Sequence, residues 1–362
     1  MGNVKINSFQ MFCLIVLFDL GTALVVSLGL TAGKDAWLAN FVGCIGGVGI
    51  YLIYNNLYKS YPTMAITSYS QKIMGKYLGW PIGFLCVVYF LHEASRDLRD
   101  YGDLISTTMF DKTPLLILNL IMLIAMTYVL YLGIEALGRM SEIFLFILIC
   151  LGLLANALLI FSSVVDIHNL FPLLLNGWKP IIKTLPLAVT FPYAEMLPFT
   201  VLLPYLNNVN NSRRIGISAI LLCGVILSFT VVMDISVLGD DIASRSPFPL
   251  LNTIRKVNIA DFIQRLDPIV ILTLVIGNFF KVAIFYFAAV IGIGDLFKID
   301  NHKKLIIPIG VVILITSLTI SSSLPEHLKE GLEILPIFIH PTIAIAIPAL
   351  LLVVDFMRKK IH

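Results

Sequence analysis

Long apolar stretches alternate with short polar segments along the whole chain. A helix that crosses a bilayer needs about 20 mostly apolar residues, and ten stretches of the sequence fit that length. They lie at Ser8–Thr31, Ala36–Tyr58, Gly79–Ser106, Pro114–Gly133, Ile143–Val165, Thr184–Tyr205, Ile215–Val237, Pro268–Gly294, Leu305–Leu324 and Ile334–Phe356. The pattern predicts an all-α polytopic membrane protein of about ten transmembrane helices, which we number spans 1 to 10.

Composition favours the same fold class. Of the 362 residues, 58% are hydrophobic and 13% are charged, and the mean hydropathy is +0.94. A soluble domain carries about 25% charged residues, and one soluble core stops growing near about 250–300 residues. The excess apolar surface must therefore face a lipid bilayer, and we expect a single transmembrane domain over residues 1–362. The net charge of +3 includes no basic block, so we expect no nucleic-acid partner.

Lysine and arginine residues in the short loops indicate the orientation. With the N-terminus inside, the inner side carries Lys5, Lys59, Lys72, Lys76, Arg139, Arg213, Arg214, Lys298, Lys303, Lys304, Arg358, Lys359 and Lys360. The short outer loops carry only Lys34, Lys112, Lys179, Lys183 and Lys329. Both termini are therefore predicted to be cytoplasmic.

The longest loop, Leu238–Asp267, is predicted to be outer. Its apolar positions at Leu250, Ile254, Val257 and Ile263 indicate a short helix that rests on the membrane surface. A simple connecting helix is the alternative.

Span 1 is interrupted near its centre, at Phe18–Thr22. Gly21 weakens the helix, and Asp19 costs several kcal/mol at that depth unless its surroundings are polar. We count Gly21 and Thr22 among the candidate ligand-binding residues, and Asp19 among the coupling or structural charges.

Span 6 is interrupted at Thr190–Pro198. Pro192 and Pro198 each remove a backbone donor and push against the preceding turn. The freed backbone groups must be satisfied by protein, ligand or water. Glu195 lies between the two prolines, where a continuous lipid-facing helix could not hold it at low cost.

Spans 1 and 6 are five spans apart, which is typical of transporters built from two inverted five-helix repeats. We assign these repeats to residues 8–165 and 184–356. In such proteins the broken helices meet at mid-depth and form the binding site. Helix N-termini there favour an anionic group such as an amino-acid carboxylate, and free carbonyls and acidic groups favour its ammonium. The alternative is that the prolines only kink span 6.

Span 3 carries a group of titratable side chains that lipid-facing helices rarely hold. They are His92, Glu93, Arg96, Asp97, Arg99, Asp100 and Asp103. Glu93, Asp97 and Asp100 share one helix face; Glu93 can reach Arg96 or Asp97, and Arg96 can reach Asp100. We expect this face to point into the bundle or a wet cavity. It forms either a structural ion-pair ladder or a site with a proton or ligand role.

Span 8 holds Lys281 well inside an apolar stretch, one turn after Asn278. A buried ammonium needs a partner or loses its proton. We count both residues among the candidate ligand-binding residues, and Lys281 could occupy the place of the sodium ion in related sodium-driven carriers. The alternative is a lysine that snorkels to the interface.

Motifs of enzymes and primary pumps are missing from the sequence. His92–Arg96 resembles the start of an HExxH zinc-protease run but lacks the second histidine. The chain has no P-loop, no Rossmann glycine pattern and no nucleophile elbow. His340 precedes Pro341 and indicates a kink, not a metal ligand. We therefore expect no enzyme activity, no cofactor and no metal site.

Four segments together resemble the B subunits of nutrient germinant receptors, the spore germination permease-like proteins of endospore-forming bacteria. The segments are Gly21–Thr22, Phe191–Met196, Arg265–Asp267 and Phe279–Lys281. Those proteins belong to the amino acid–polyamine–organocation transporter superfamily. The resemblance covers nearly the whole chain in length, span order and motif order.

This resemblance implies a leucine-transporter-like fold in the spore inner membrane, with both termini on the spore-core side. It also implies a complex with the A and C subunits and binding of a small germinant such as an amino acid. The ligand-binding residues that carry over are Gly21, Thr22, Pro192, Tyr193, Glu195 and Lys281. Ala194 departs from the glycine expected between the tyrosine and the glutamate, and its methyl group can narrow the pocket.

Three functional hypotheses follow. In the first, the chain is a receptor subunit whose ligand shifts a two-state bundle that partner subunits detect. In the second, it is an amino-acid permease, coupled to protons through Glu195 or the carboxylates of span 3. In the third, it is a structural subunit with a vestigial pocket.

Overall fold

A computed structural model describes residues 5–258 and 266–361 of the chain. Within these ranges, nine helices are long and apolar enough to cross a membrane. They are Ser8–Val26, Leu30–Ser60, Lys76–Thr108, Leu115–Leu132, Ile134–Phe161, Lys179–Tyr205, Val209–Leu238, Asp267–Phe297 and Leu324–Lys360, which correspond to spans 1 to 8 and span 10. Span 9 is a helix of 17 residues, one fewer than the shortest of the nine. The predicted all-α polytopic architecture is confirmed.

The described residues form seventeen α-helices. These are α1 Ser8–Leu20, α2 Ala23–Val26, α3 Ala36–Ser60, α4 Ile66–Met74, α5 Lys76–Thr108, α6 Leu115–Leu132, α7 Ile134–Phe161, α8 Lys179–Thr190, α9 Phe199–Leu202, α10 Ser212–Leu238, α11 Asp240–Arg245, α12 Pro249–Ile254, α13 Asp267–Phe297, α14 Lys303–Thr319, α15 Leu324–Lys329, α16 Leu335–Ile339 and α17 Ile347–Ile361. Of these, α4, α11 and α12 lie between spans. Short 3₁₀ helices lie at Leu30–Asp35, Ile167–Leu170, Tyr193–Met196, Leu203–Tyr205 and Val209–Asn211, and π-helical segments at Glu330–Ile334 and His340–Ala346. The only extended pairing in the described ranges is an isolated bridge between Ile6 and Leu206.

Spans 1 and 6 are both broken where the sequence predicts it. The helix α1 begins with a capping box in which Asn7 and Gln10 bond each other's backbone amides, and it ends at Leu20, directly before Gly21. Span 6 stops being α-helical at Thr190, passes through the 3₁₀ turn Tyr193–Met196, and resumes as α9. The prolines flanking that turn explain the interruption, because neither can donate a helical hydrogen bond.

The broken spans lie in the centre of the bundle. The most apolar windows of spans 1, 6 and 8 are 83%, 78% and 78% buried, whereas those of spans 5 and 10 are 22% buried. Span 8 packs along span 3 and also contacts α1. Large apolar side chains on span 5, such as Phe146 and Leu153, are exposed and form the surface that lipid covers.

Span 10 differs from its predicted form. Its helix begins at Leu324, well before the predicted start at Ile334, because the Ser323 side chain accepts a hydrogen bond from the backbone amide of Glu326 and caps it. These first turns are polar, so a search for apolar residues misses them. Further along, the predicted kink at His340 is a π-helical segment.

The described part of the long loop forms two short helices, α11 and α12. Residues Leu251, Thr253 and Ile254 of α12 are buried, and α12 packs on span 7 and α2. The predicted apolar position at Ile263 lies outside the described residues, as does Arg265. A position at the membrane surface for this loop stays a prediction.

Candidate functional site

The Lys281 side chain joins both broken spans to span 3. It is 1% exposed, and its Nζ lies 2.6 Å from Oε2 of Glu195 and 3.2 Å from Oδ1 of Asp97. It also donates a hydrogen bond to Oγ1 of Thr22, at 3.2 Å. The Phe191 ring faces the ammonium, with its centroid 4.6 Å away. The alternative of a snorkelling lysine is therefore wrong, because the charge is neutralised inside the bundle.

A contact between two glycines brings span 8 close to the break in span 1. A Cβ atom at Gly277 would lie 2.7 Å from Cα of Gly21, which is closer than real side chains approach a backbone. The two backbones therefore touch, and Lys281, one turn further along α13, reaches Thr22. Gly21 thus acts in packing as well as in ending α1.

The acidic face of span 3 points into the bundle, as predicted. Glu93 and Asp97 are buried. The pair between Arg96 and Asp100 that the spacing allows does not form, because both side chains contact span 10 instead. Asp100 accepts from Nε2 of His327 at 2.8 Å. Nη1 of Arg96 lies 3.6 Å from Oε2 of Glu330, a residue in the polar turns that sequence analysis excluded from span 10.

A small polar cavity lies beside the break in span 6. The space open to the centres of water molecules measures about 30 Å³. One water needs about 10–15 Å³ on the same measure. Its polar lining consists of Glu93, Arg96, Asp97, Asp100, Glu195 and His340. The cavity is partly open and holds about two waters, so a ligand larger than that fits only if one wall moves outward.

Three of these lining residues converge on one point. One oxygen each of Glu93 and Glu195 and one ring nitrogen of His340 lie within 4.8 Å of one another, and all three residues are buried. Nδ1 of His340 is 2.8 Å from the Tyr89 hydroxyl, which leaves Nε2 facing Glu195 at 3.7 Å. The spacing suits a shared cation, either a metal ion or an ammonium group.

Sequence analysis missed His340 as a site residue. Because Pro341 follows it, the histidine was interpreted as marking a kink in the helix. Span 10 places the ring next to spans 3 and 6, which are remote in sequence. A histidine deep inside an apolar span was the signal that could have identified it.

The predicted ligand-binding residues differ in whether they face the cavity. Glu195 lines the cavity. Lys281 contacts Glu195, and it also contacts Thr22 and Gly21 of span 1. Tyr193 instead packs against Gly47 of span 2.

The other predicted positions have structural surroundings. Pro192 caps the 3₁₀ turn of span 6. Asn278 donates to the backbone oxygen of Asp97 at 2.7 Å and so holds span 8 to span 3. Asp19 is fully buried, and neither of its carboxylate oxygens has a hydrogen-bond partner in the described part of the chain. A ligand role for these residues stays a prediction.

Another buried carboxylate, that of Asp234, connects the long loop to the bundle. Its two oxygens accept hydrogen bonds from the Ser27 hydroxyl at 2.5 Å and the Thr253 hydroxyl at 2.6 Å. Ser27 ends span 1, Asp234 belongs to span 7, and Thr253 lies in α12. The end of the broken span is thereby fixed to the loop above it.

The fold and the polar cavity together define the class: a polytopic membrane protein with the leucine-transporter-like fold, in which spans 1 and 6 are broken. The solved structure of MhsT in complex with L-phenylalanine superposes with a TM-score of 0.68 and covers 98% of this chain and 99% of that one. The sequence identity is 14%, so this similarity establishes the fold alone.

The chain belongs to the spore germination protein family, whose sequence model matches residues 5–324. It is 36% identical to spore germination protein KB of Bacillus subtilis (strain 168) over 361 residues, which cover 99% of this chain and 97% of that protein. It is also 22% identical to spore germination protein A2 of the same organism over 322 residues, 87% of each chain. The resemblance recognised from the sequence is confirmed, and the chain is a multi-pass membrane protein of spore germination.

Proposed function

We propose that this chain is the membrane subunit of a spore germinant receptor. It binds a small nutrient, and the class of nutrient that we propose is an amino acid. The nutrient binds in the polar cavity beside the broken spans, and partner subunits of the A and C type transmit the signal. The proposal locates the protein in the spore inner membrane with both termini on the core side. The observation that carries it is the buried polar cavity next to the break in span 6.

The charges around this cavity support a binding role. Glu195 belongs to a helix interrupted by two prolines, so its backbone has unusual freedom to expose polar groups. A carboxylate in the middle of a membrane protein is expensive, and it is generally retained where function requires it. Glu195 is neutralised by Lys281 yet also faces the cavity.

Coupling to partners requires two conformations of the bundle. The cavity as described has room for about two waters. A nutrient larger than that binds an opened form more tightly and shifts the population toward it. Partner subunits that contact the moving spans can then detect the ligand.

Germination of spores carrying Glu195→Gln tests this proposal. Loss of a charged hydrogen-bond partner costs about 1.5–3 kcal/mol, so the nutrient concentration for half-maximal germination should rise about tenfold to 100-fold. Glu333→Gln makes the same chemical change at an exposed position of span 10 and should leave the dose–response unchanged. An unaltered response in Glu195→Gln spores, with normal protein level, would contradict the site.

A proton-coupled amino-acid permease is the second candidate function. It is favoured by the fold neighbour, a transporter solved with L-phenylalanine, and by the carboxylates of Glu93 and Asp97 near Glu195. Uptake of labelled amino acids into proteoliposomes containing this chain alone would favour the permease over the receptor. A chain that binds nothing yet still stabilises the receptor complex would favour a structural subunit with a vestigial pocket.

A further inference from the structure

Arg96 has a buried guanidinium group with too few partners. The residue is 7% exposed, and a guanidinium has five N–H donors to satisfy. Its Nη2 reaches the backbone oxygen of His327 only at 3.5 Å, and its Nη1 has no hydrogen bond to any described residue. The carboxylate of Glu330 is 3.6 Å from Nη1, too far for a hydrogen bond. The group can therefore gain considerably from a better acceptor.

This guanidinium lines the same cavity as the carboxylates of Glu93 and Glu195. Glu93 and Arg96 are three residues apart on one helix, so they share a face. The cavity thus presents acceptors where Glu93, Glu195 and His340 converge and a cationic donor at Arg96. A ligand that carries both an ammonium and a carboxylate satisfies both.

Residues of span 10 also contact the Arg96 side chain. His327 and Glu330 both contact the guanidinium, and a Cβ atom at Gly331 would collide with its Nη2. Residues Glu330–Ile334 form a π-helical turn, a geometry that is uncommon and frequent at functional sites. The weak pair between Arg96 and Glu330 therefore joins the cavity to an irregular part of span 10.

We infer that Arg96 binds the carboxylate of the ligand and that this carboxylate replaces Glu330, which releases the outer part of span 10. The inference rests on the proposed function and adds the residue that selects an acidic group. A ligand carboxylate can form two parallel hydrogen bonds with a guanidinium, whereas Glu330 forms none. The exchange therefore favours the form of span 10 in which Glu330 has moved away.

Matched pairs of ligands test the first half of the inference. Binding of each of the twenty amino acids and of its α-amide is measured on the purified full-length chain. Where an amino acid binds, its amide should bind at least about 100-fold more weakly, because the site is left with an unpaired guanidinium. Equal affinity of acid and amide would overturn the inference without any variant.

Substitutions at Arg96 test the same contact from the protein side. Arg96→Gln should weaken binding of the amino acid about 100-fold and that of the amide little, so the preference for the acid collapses. Arg213→Gln removes an exposed arginine and should preserve the preference. A preference that survives in Arg96→Gln would show that another group reads the carboxylate.

Glu330→Gln tests the exchange itself. The variant removes the competing carboxylate, so the affinity for the amino acid should rise about tenfold, while Asp111→Asn, which removes an exposed carboxylate outside span 10, leaves it unchanged. An unchanged or lower affinity in Glu330→Gln would overturn the release of span 10.

Adding a neutral sugar and a divalent cation to the tested ligands separates this inference from the proposed function. Binding of a neutral sugar, or of a divalent cation through Glu93, Glu195 and His340, would keep a ligand site but refute the role of Arg96. Absence of any binding to the wild-type chain would refute the proposed function and this inference with it.

Discussion

At the scale of single residues, Lys281 holds the broken spans together. Lys281 contacts two carboxylates, Glu195 and Asp97, and the hydroxyl of Thr22. These groups come from spans 8, 6, 3 and 1, so one side chain fixes four elements near mid-depth. Charges in such surroundings are tolerated because they neutralise each other.

Replacing Lys281 with methionine should destabilise the bundle. The variant keeps the apolar stem but leaves the carboxylates of Glu195 and Asp97 buried without a counter-charge, and breaking a buried pair in this way costs about 3–5 kcal/mol. We expect a large drop in the thermal unfolding temperature of the purified protein and a lower amount in membranes. Lys304→Met, at an exposed position, is the control. Normal stability of Lys281→Met would mean that the ion pairs contribute nothing.

The sequence identified the residues of this cluster but not their pairing. Glu195 and Lys281 stand out because charges are rare inside apolar spans. Which carboxylate meets which cation depends on how spans 3, 6, 8 and 10 are rotated, and spacing along one helix does not contain that information. The failed pairing of Arg96 with Asp100 illustrates this, since span 10 offered each a partner.

At the scale of elements, the contact between spans 1 and 8 positions the site. A Cβ atom at Gly277 would meet the Gly21 backbone, and a Cβ atom at Gly21 would meet the Lys281 side chain. Small residues commonly allow this close approach of membrane helices. The break in span 1 therefore allows this close packing. As a consequence, Thr22 lies within hydrogen-bond distance of Lys281.

Gly277→Ala should weaken that contact despite the better helix propensity of alanine. Its Cβ would lie 2.7 Å from Cα of Gly21, so the spans must separate, and overpacking of this kind costs about 1–3 kcal/mol. The thermal unfolding temperature should fall. Gly49→Ala is the matched control, because its Cβ would meet nothing within 4 Å. Equal behaviour of the two variants would refute the packing role.

Sequence patterns predicted the broken spans 1 and 6 better than they predicted span 10. Proline pairs and glycine disrupt helices by local chemistry, so the breaks in spans 1 and 6 follow from the residues themselves. Span 10 was harder, because its first turns around Glu326 and Glu330 are polar and its two π-helical segments depend on packing.

At the scale of the whole molecule, hydropathy predicted the architecture well. Span number and burial follow from the requirement that lipid-exposed backbone be helical. Hydropathy does not predict the conformation of the cavity, because a closed bundle and an open bundle have the same apolar pattern along the chain. The small cavity must widen to admit a nutrient larger than about two waters, and only differential affinity can drive that shift.

The central claim is that the cavity beside the broken spans binds a small nutrient through Glu195. Equilibrium binding of the twenty amino acids to the purified wild-type chain and to Glu195→Gln tests it most directly. We expect at least one amino acid to bind the wild-type chain saturably and the variant at least about tenfold more weakly, given the loss of a charged partner. Equal affinity for both proteins, or saturable binding to neither, would contradict it.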